Sequence, residues 1–217
     1  MIVETMTHEE VYQELERDRD NLTRWWDHQK LALVRPMLKR KQFPVHLWYD
    51  YTSPRKNRYM IHTRIFDKRM KKLLTGIFAI RRTAEGITTY STWLGFQRLI
   101  SPMILTPHMF KRYSERMGVD KTGLELIKHY FAHNPYGEDS RNQEVIGRSV
   151  RYNGEEHRAC CTDEGVLLGQ DIGIYYLVRT FITYDMCAGI QKDVFEYNRK
   201  FVMTDREMYE IASKIYN

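Results

Sequence analysis

"RYMIHTRIF", residues 58–66, alternates Tyr, Ile, Thr and Ile against Met, His, Arg and Phe, which is the period of a strand with two different faces. "LLTGIFAIRR" at 73–82 and "ITTYSTWLGF" at 87–96 continue in apolar and β-branched residues. The short Gly-containing turn "TAEG" at 83–86 joins these two segments. The region therefore predicts a three-strand antiparallel meander covering about 58–96.

A helix is predicted before this meander. Thr7 followed by Glu10 is the capping-box pattern, in which each side chain satisfies a free backbone N–H of the other residue. Apolar residues then recur at helical spacing up to about Val34, and Pro36 argues against continuation beyond that point. Between the helix and the meander, "VHLWYDY" at 45–51 is a further candidate strand.

Two helices are predicted after the meander. Thr106 is a favourable N-cap, Pro107 suits the first helical position, and Gly118 supplies the left-handed residue that ends many helices. Asp120 is expected to cap the second helix, which runs to Asn134.

A second β region follows the loop "NPYGEDSRNQ" at 134–143. Its strands are predicted as "EVIGRSVRY" (144–152), "EEHRACCT" (155–162), "VLLGQDI" (166–172) and "IYYLVRTFITY" (174–184). Asn153-Gly154 between the first two is a strong hairpin signal, so the four strands are expected to form a meander. "TDRE" at 204–207 is another capping box and starts a C-terminal helix.

The order of elements predicts an α+β fold, with two antiparallel β meanders separated by a helical pair and with N- and C-terminal helices. The N-terminal helix and the basic meander occupy residues 1–100 in this prediction. The helix–helix–meander unit and the C-terminal helices occupy 101–217. The two parts are expected either as separate domains or as one continuous domain, since a chain of 217 residues suits both.

Positive charge is concentrated in one stretch of the chain. Residues 35–82 hold 14 Lys and Arg against two acidic residues, a net charge of +12, and include "KRMKK" at 68–72. Residues 1–34 carry −4 and residues 83–217 carry −2, so this stretch supplies the whole excess of a chain with net charge +6. The imbalance favours an anionic partner, with nucleic acid as the first candidate; the alternative is a solvated basic face with no partner.

Aromatic residues are interleaved with the cations of this stretch. Cations neutralise phosphates while aromatic rings stack on bases, an arrangement that suits single-stranded nucleic acid. The alternative is that the aromatics are core residues beneath exposed lysines. The candidate nucleic-acid-binding residues are Arg40, Lys41, Trp48, Arg55, Lys56, Arg58 and Arg64; Asn57 stands between Lys56 and Arg58.

One face of the helix after Thr106 carries candidate catalytic residues. His108, Arg112 and Arg116 are spaced i, i+4, i+8 and therefore share a face. The dipole at the first turn disfavours imidazolium, so a neutral histidine there can accept a proton while the arginines stabilise a phosphorane. The alternative is an ordinary solvated polar face, with Glu115 available to pair with the arginines.

"TPHMFKRYSERMGVDKTGLELI" (106–127), with the meander after it, resembles the barnase–EndoU–colicin–RelE-like group, in its toxin-like subset, over about residues 101–187. That group combines a helix of the form H-x3-R-x3-R, a second helix, a four-strand meander and a Thr near the end of the last strand. The resemblance implies a bacterial, metal-independent ribonuclease in which the RNA 2′-OH attacks its own phosphate. The catalytic residues that it implies are His108, Arg112, Arg116 and Thr183. The first 100 residues have no counterpart in the compact toxins.

The second helix carries an alternative site. Glu125, His129 and His133 recur at i, i+4, i+8, the H-x3-H spacing is known for zinc, and His157 could complete a set. Tyr130 stands where the HExxH pattern has its glutamate. This pattern would make the protein a metal-dependent hydrolase; a solvent-exposed polar face explains it more simply. No other metal and no cofactor is predicted.

Several function classes are excluded by what the sequence lacks. It has no P-loop, GxGxxG, GxSxG or paired-carboxylate pattern. Its apolar runs are too short to span a bilayer, no apolar signal region opens the chain, and its three cysteines form no disulfide framework. We therefore expect a cytoplasmic protein with no membrane partner that binds RNA or cleaves it. The alternative is a non-catalytic accessory protein, of phage or mobile-element type, that docks an acidic partner.

Overall fold

A computed structural model describes residues 1–71, 73–93, 103–134, 138–140, 157–173, 175–200 and 202. Contacts divide the chain into two compact units. The first unit comprises residues 1–83, 90–100 and 204–217, and the second comprises 84–89 and 101–203. Helices and strands occur in both units, so the predicted α+β class is confirmed.

The first unit opens with α1 (His8–Leu38). Its capping box forms as predicted: the Thr7 hydroxyl accepts from the Glu10 N–H, and the Glu10 carboxylate accepts from the Thr7 N–H. The prediction that the helix stops near Val34 is wrong, because Pro36 lies in the last turn. The helix ends in 3₁₀-type hydrogen bonds, in which an N–H donates to the carbonyl three residues earlier, as from Lys39 to Pro36.

Four strands of the sheet follow α1 in sequence. They are β1 (Val45–Thr52), β2 (Arg58–Ile65), β3 (Leu73–Thr83) and β4 (Gly86–Trp93), and they lie side by side in that order. β1 pairs antiparallel with β2 and β2 pairs antiparallel with β3. The predicted meander and the additional strand at 45–51 are therefore confirmed.

β2 is the centre of the first unit, and every residue from Tyr59 to Ile65 is buried. One face of the strand meets α1, because the Tyr59 hydroxyl bonds to Asp18 of that helix. On the other face, His62 stacks against Trp48 of β1. A strand buried on both faces needs this continuous run of residues that tolerate burial.

The second unit contains β5 (Met103–Leu105), α2 (Pro107–Met117), α3 (Gly123–His133), β6 (Glu138–Ser140), β7 (His157–Cys161), β8 (Val166–Ile172), β9 (Tyr175–Ile182), a 3₁₀ turn (Tyr184–Met186) and α4 (Ile190–Arg199). The strand order is β5-β9-β8-β7-β6. All these neighbours are antiparallel except β5, which runs parallel to β9. Among the helices that the structure describes, none is long and apolar enough to cross a lipid bilayer.

Two local predictions for the second unit are wrong. Thr122, not Asp120, is the N-cap of α3, because Gly123, the first residue of the helix, has a φ of 55° and the right-handed helix cannot extend back beyond it. The loop predicted at 134–143 contains β6, which pairs with the end of β7. The predicted strand 144–152, the Asn153-Gly154 hairpin and the helix after 204 lie outside the described residues.

Apolar layers cover both faces of the strands in the second unit. Neighbouring Phe181 and Ile182 of β9 point to opposite faces. Phe181 meets Tyr113 of α2 edge to face, with ring centroids 5.2 Å apart. Ile182 belongs to a cluster on the other face, with Ala159, Cys161, Val166, Leu168, Tyr184, Cys187, Phe195 and Val202.

A β-bulge interrupts the pairing of β8 with β9. Gly169 lies opposite Val178 and Leu168 lies opposite Thr180, so Arg179 is the extra residue. Gly169 is required at this point, since a Cβ there would collide with the backbone carbonyl of Leu177. The exposed Arg179 donates from Nε to the Gln170 amide oxygen at 3.1 Å.

Candidate nucleic-acid interface

Strand register brings two separate basic segments to one end of the first unit. Val45 of β1 is paired with Ile65 of β2, and Ile65 is paired with Leu73 of β3. The segment that precedes Val45 and the turn between Ile65 and Leu73 therefore lie at the same strand ends. Their exposed cations form what we call the basic edge: Lys39, Arg40, Lys41, Lys68, Arg69 and Lys71.

The cations of the basic edge lack acidic partners among the described residues. Within the part of the chain that the structure describes, none of the six forms an ion pair. Asp67 is the acidic residue of the turn, and one oxygen of its carboxylate accepts the Arg69 backbone N–H at 2.8 Å. The basic edge therefore presents a concentrated positive charge to solvent.

Cations on the helices behave differently. Lys30 lies 2.7 Å from Asp27 on α1, and Arg112 lies 2.9 Å from Glu115 on α2. Lys128 and Lys192 have acidic partners one turn away on α3 and α4. These four helix cations each have an acidic neighbour, whereas none of the six cations of the basic edge has one among the described residues.

The predicted nucleic-acid-binding residues do not all lie together. Arg40 and Lys41 belong to the basic edge, whereas Lys56 and Arg58 lie at the other end of β1 and β2, about 25 Å away along eight residues of strand. Arg64 is buried with 3% of its surface exposed, so it is not an exposed contact residue. The sequence alone presents these positions as one basic stretch. The strand register shows that the two parts of this stretch lie at opposite ends of β1 and β2.

Arg55 is committed to the protein's own fold. Its Nε and Nη2 donate to the two carboxylate oxygens of Glu14 at 2.9 and 2.7 Å. The Asn57 amide also donates to Glu14, at 3.1 Å, and the amino group of Met1 lies 2.7 Å from it. Hydrogen bonding from Arg55, against the opposing effect of burial, lowers the pKa of Glu14 to about 2.

Asp18 forms a second buried carboxylate site one turn further along α1. Burial alone would raise its pKa, but hydrogen bonds from Ser53, Asn21, Asn57 and Tyr59 lower it below its ordinary value. Asn57 donates to Asp18 at 2.7 Å as well as to Glu14, so it joins both carboxylates. The network attaches α1 to the β1–β2 turn, and nothing in the sequence pattern pointed to it.

Trp48 is half-buried and stacks on His62 with ring centroids 4.1 Å apart and an interplanar angle of 5°. Tyr51 stacks on Trp25 of α1, with centroids 4.7 Å apart. Most of the aromatic rings in the basic stretch therefore pack against protein. Burial, the nearby Arg64 charge and His46 lower the pKa of His62 to about 3, so its ring is neutral at neutral pH.

The candidate catalytic residues of the second unit are spread along α2 and β9. His108 is exposed on the first turn, where the Thr106 hydroxyl donates to the Val178 carbonyl. Arg116, two turns later, donates to the Phe181 carbonyl. α2 therefore runs alongside β9, with His108 at one end and Thr183, two residues after Phe181, at the other. Two turns of helix separate His108 from Arg116 by about 12 Å.

Both arginines of this set have partners within the protein. The Arg112 guanidinium lies 2.9 Å from the Glu115 carboxylate, and the Arg116 guanidinium is bound to the strand backbone. Burial and the nearby Arg112 charge lower the pKa of Arg116. Thr183 supplies its carbonyl to the Met186 N–H of the 3₁₀ turn. The spacing predicted one shared helix face, and the structure adds that Arg116 bonds to the strand backbone while His108 and the Arg112–Glu115 pair are exposed.

A polar cluster that sequence reading missed lies beside α2 and α3. The Tyr113 hydroxyl donates to the Glu164 carboxylate at 2.6 Å and lies 3.2 Å from His129 Nδ1. The Asn134 amide also donates to Glu164 at 2.6 Å, and its oxygen accepts the Glu164 N–H. Burial first, and then the Glu164 hydrogen bond, raise the pKa of Tyr113. The residues of this polar cluster come from three separate segments of the chain, so no sequence spacing could predict that they lie together.

His129 and His133, the alternative metal ligands, are neighbours on α3. Their rings stack with centroids 4.1 Å apart and an interplanar angle of 18°. Partial burial, His133 and Lys121 lower the pKa of His129. No group of three or more His, Cys, Asp or Glu side chains suited to a metal ion occurs among the described residues, and the side chain of His157 lies outside them.

No protein-family model, curated protein or solved structure matches this chain. The resemblance to the barnase–EndoU–colicin–RelE-like group stays a prediction from the residue pattern.

Proposed function

We propose that this protein binds nucleic acid, with single-stranded RNA as the primary ligand, through the basic edge of its first unit. The proposal rests on one observation: six exposed cations lie in two segments that lead to the same strand ends, and they have no acidic partner among the described residues. Uncompensated charge of this kind destabilises a folded protein by self-repulsion unless an anion neutralises it.

A phosphate backbone is the anion that suits a row of flexible cations. Each Lys or Arg that neutralises a phosphate releases condensed counterions, so the affinity comes from charge and depends steeply on salt. Half-buried Trp48 adds an aromatic ring near the middle of β1, but its stacking on His62 commits one of its faces. We therefore expect binding with little base preference, dominated by contacts with phosphates.

Binding without cleavage is the form of this function that the second unit favours. A phosphoryl-transfer site needs guanidinium groups that are available to a phosphate. Arg116 donates to the Phe181 carbonyl, whereas Arg112 forms only an exposed and weak pair with Glu115. His108 also lies at the opposite end of α2 from Arg116, so the ribonuclease mechanism implied by the resemblance would need these contacts to be exchanged.

The test is a fluorescence-anisotropy titration of labelled single-stranded RNA with the full chain, in EDTA, across salt concentrations. Six phosphate contacts predict a slope of log K against log salt of about −4, at roughly 0.7 per contact for a single strand. The triple variant K39Q/R40Q/K41Q removes three of them and should reduce the steepness of the slope by about 2.

A matched control distinguishes local from overall charge. K111Q/K128Q/K192Q removes the same number of positive charges, three, from helix surfaces where each lysine has an acidic neighbour. It should bind RNA as the unmodified chain does. Equal losses in both triple variants would contradict a localised interface.

Two further results would redirect the function. If polyglutamate competes as well as RNA at equal charge, the basic edge docks an acidic protein, which is the accessory-protein alternative. If gel electrophoresis shows that the bound RNA is shortened and that H108A stops the cleavage, the ribonuclease implied by the resemblance replaces simple binding.

A further inference from the structure

The two histidines of α3 are both held in the same tautomer by the protein. His133 Nδ1 lies 2.8 Å from the backbone carbonyl oxygen of His129. A carbonyl oxygen accepts hydrogen bonds and cannot donate, so His133 Nδ1 carries the proton. In the neutral ring the lone pair of His133 is therefore on Nε2.

The same assignment holds for His129, through Tyr113. The Tyr113 hydroxyl has one proton and gives it to the Glu164 carboxylate, at an oxygen–oxygen distance of 2.6 Å. The phenolic oxygen can then only accept from His129 Nδ1, which lies 3.2 Å away. His129 therefore also carries its proton on Nδ1 and its lone pair on Nε2.

Glu164 is itself fixed in place. The Asn134 side chain donates to its carboxylate at 2.6 Å and accepts its backbone N–H at 3.1 Å. The hydrogen-bonded series His129–Tyr113–Glu164–Asn134 thus starts at an imidazole and ends at an amide that holds both the carboxylate and the backbone N–H of Glu164. Donation of the second ring N–H to a carbonyl, or through a hydroxyl to a carboxylate, is what orients histidines that bind metals.

We propose that His129 and His133 form a two-histidine site for a late first-row transition-metal ion, bound through both Nε2 atoms. The residues are four apart on one helix, and their rings are stacked with centroids 4.1 Å apart. Imidazole nitrogen suits Cu²⁺, Ni²⁺ and Zn²⁺, and Cu²⁺ should bind most tightly. No third ligand of the usual types joins them among the described residues. The site is independent of the basic edge.

The experiment is a Cu²⁺ titration of the full chain, followed by calorimetry and by electron paramagnetic resonance. We expect one Cu²⁺ per chain and nitrogen hyperfine structure from two imidazoles. H133A should lower the affinity at least about tenfold, because one ligand is lost. H28A removes an exposed histidine of α1 and should leave the affinity unchanged. An equal loss in H28A and H133A would overturn the proposal.

The hydrogen bonds that place the ring proton of His129 on Nδ1 have their own test. Y113F removes the acceptor for His129 Nδ1–H and should weaken Cu²⁺ binding about tenfold, the usual lower bound for an orienting partner. E164A provides a second route if Y113F fails to fold: Tyr113 is then free to donate to His129 Nδ1, which moves the ring proton to Nε2. The circular-dichroism melting curve shows whether each variant is folded. A folded variant of either kind that binds Cu²⁺ with unaltered affinity would overturn the proposal.

Discussion

Arg55 and Glu14 form a two-point ion pair that joins the β1–β2 turn to α1. The Nε and Nη2 atoms of Arg55 donate to separate carboxylate oxygens, at 2.9 and 2.7 Å, and the Glu14 side chain is only 3% exposed. Parallel donation of this kind fixes the relative orientation of its two groups and is stronger than a single contact. The pair therefore ties the position of the turn to that of the helix.

The first prediction concerns acid stability. The pKa of Glu14 falls from 4.5 to about 2 in the folded chain. A depressed carboxyl pKa contributes stability above pH 4.5 that is lost as the pH falls towards 2, and a shift of this size corresponds to roughly 3 kcal/mol. Urea unfolding of E14Q should lack this loss of stability between about pH 5 and 2. E9Q, at an exposed position of the same helix, should retain it.

His62 gives a second pH dependence in a different range. Its pKa is about 3 in the folded chain because it is buried beside Arg64 and His46, against about 6.5 when unfolded. The unfolded chain therefore takes up a proton first, and stability is complete above about pH 6.5 and declines as the pH falls. At pH 5 the loss should be about 2 kcal/mol.

H62F keeps a ring against Trp48 and removes the titrating group. Its free energy of unfolding should change little between pH 7 and 5. In this range the imidazole of an unfolded chain, with a pKa of about 6.5, takes up its proton. A decline as steep as that of the unmodified chain would show that another group titrates there.

Two tyrosines that face each other across β1 and β2 should differ in their hydroxyl contributions. Tyr59 donates to Asp18 at 2.9 Å, and Tyr51 is its partner in the strand register. Y59F should cost about 1.5–3 kcal/mol, because a hydrogen bond to a charged group is lost. The Tyr51 hydroxyl has no hydrogen-bond partner among the described residues, so Y51F should be nearly neutral. Equal costs by chemical denaturation would mean that the Asp18 contact is not stabilising.

The arginines of α2 should also separate. R116A removes a donor to the Phe181 carbonyl in a partly buried position and should destabilise the protein by about 1.5 kcal/mol. R112A breaks an exposed pair with Glu115 and should change the stability by less than about 0.5 kcal/mol. Thermal unfolding measures both. The reverse order would indicate that Arg116 is available for a ligand.

The sequence predicted elements well where a local signal exists. Thr7 with Glu10, and Thr106 with Pro107 and Gly118, mark the ends of helices because capping involves residues close in the chain. β5 and β6 were missed because three residues are too few for a period. Gly123 shifted the start of α3 through a backbone angle that Asp120 does not reveal.

The candidate sites were predictable only in part, for a related reason. Charge counting located the basic stretch, but the union of Lys39–Lys41 with Lys68–Lys71 depends on the pairing of Val45, Ile65 and Leu73. His129 and His133 share a helix face by spacing alone. Their tautomers depend on Tyr113 and Glu164, which are far apart in sequence.

The extra residue at Arg179 sets the phase of β9. Side chains alternate along a strand, yet Val178 and Phe181, three positions apart, share a face because the bulge adds one residue between them. Deleting Arg179 would restore strict alternation and leave Tyr175 to Val178 on the faces that they occupy now, because Val178 and Thr180 already lie on opposite faces. The bulge thus lets β9 hold one residue more than its pairing with β8 needs, and both halves of the strand still present their apolar side chains to the same two layers.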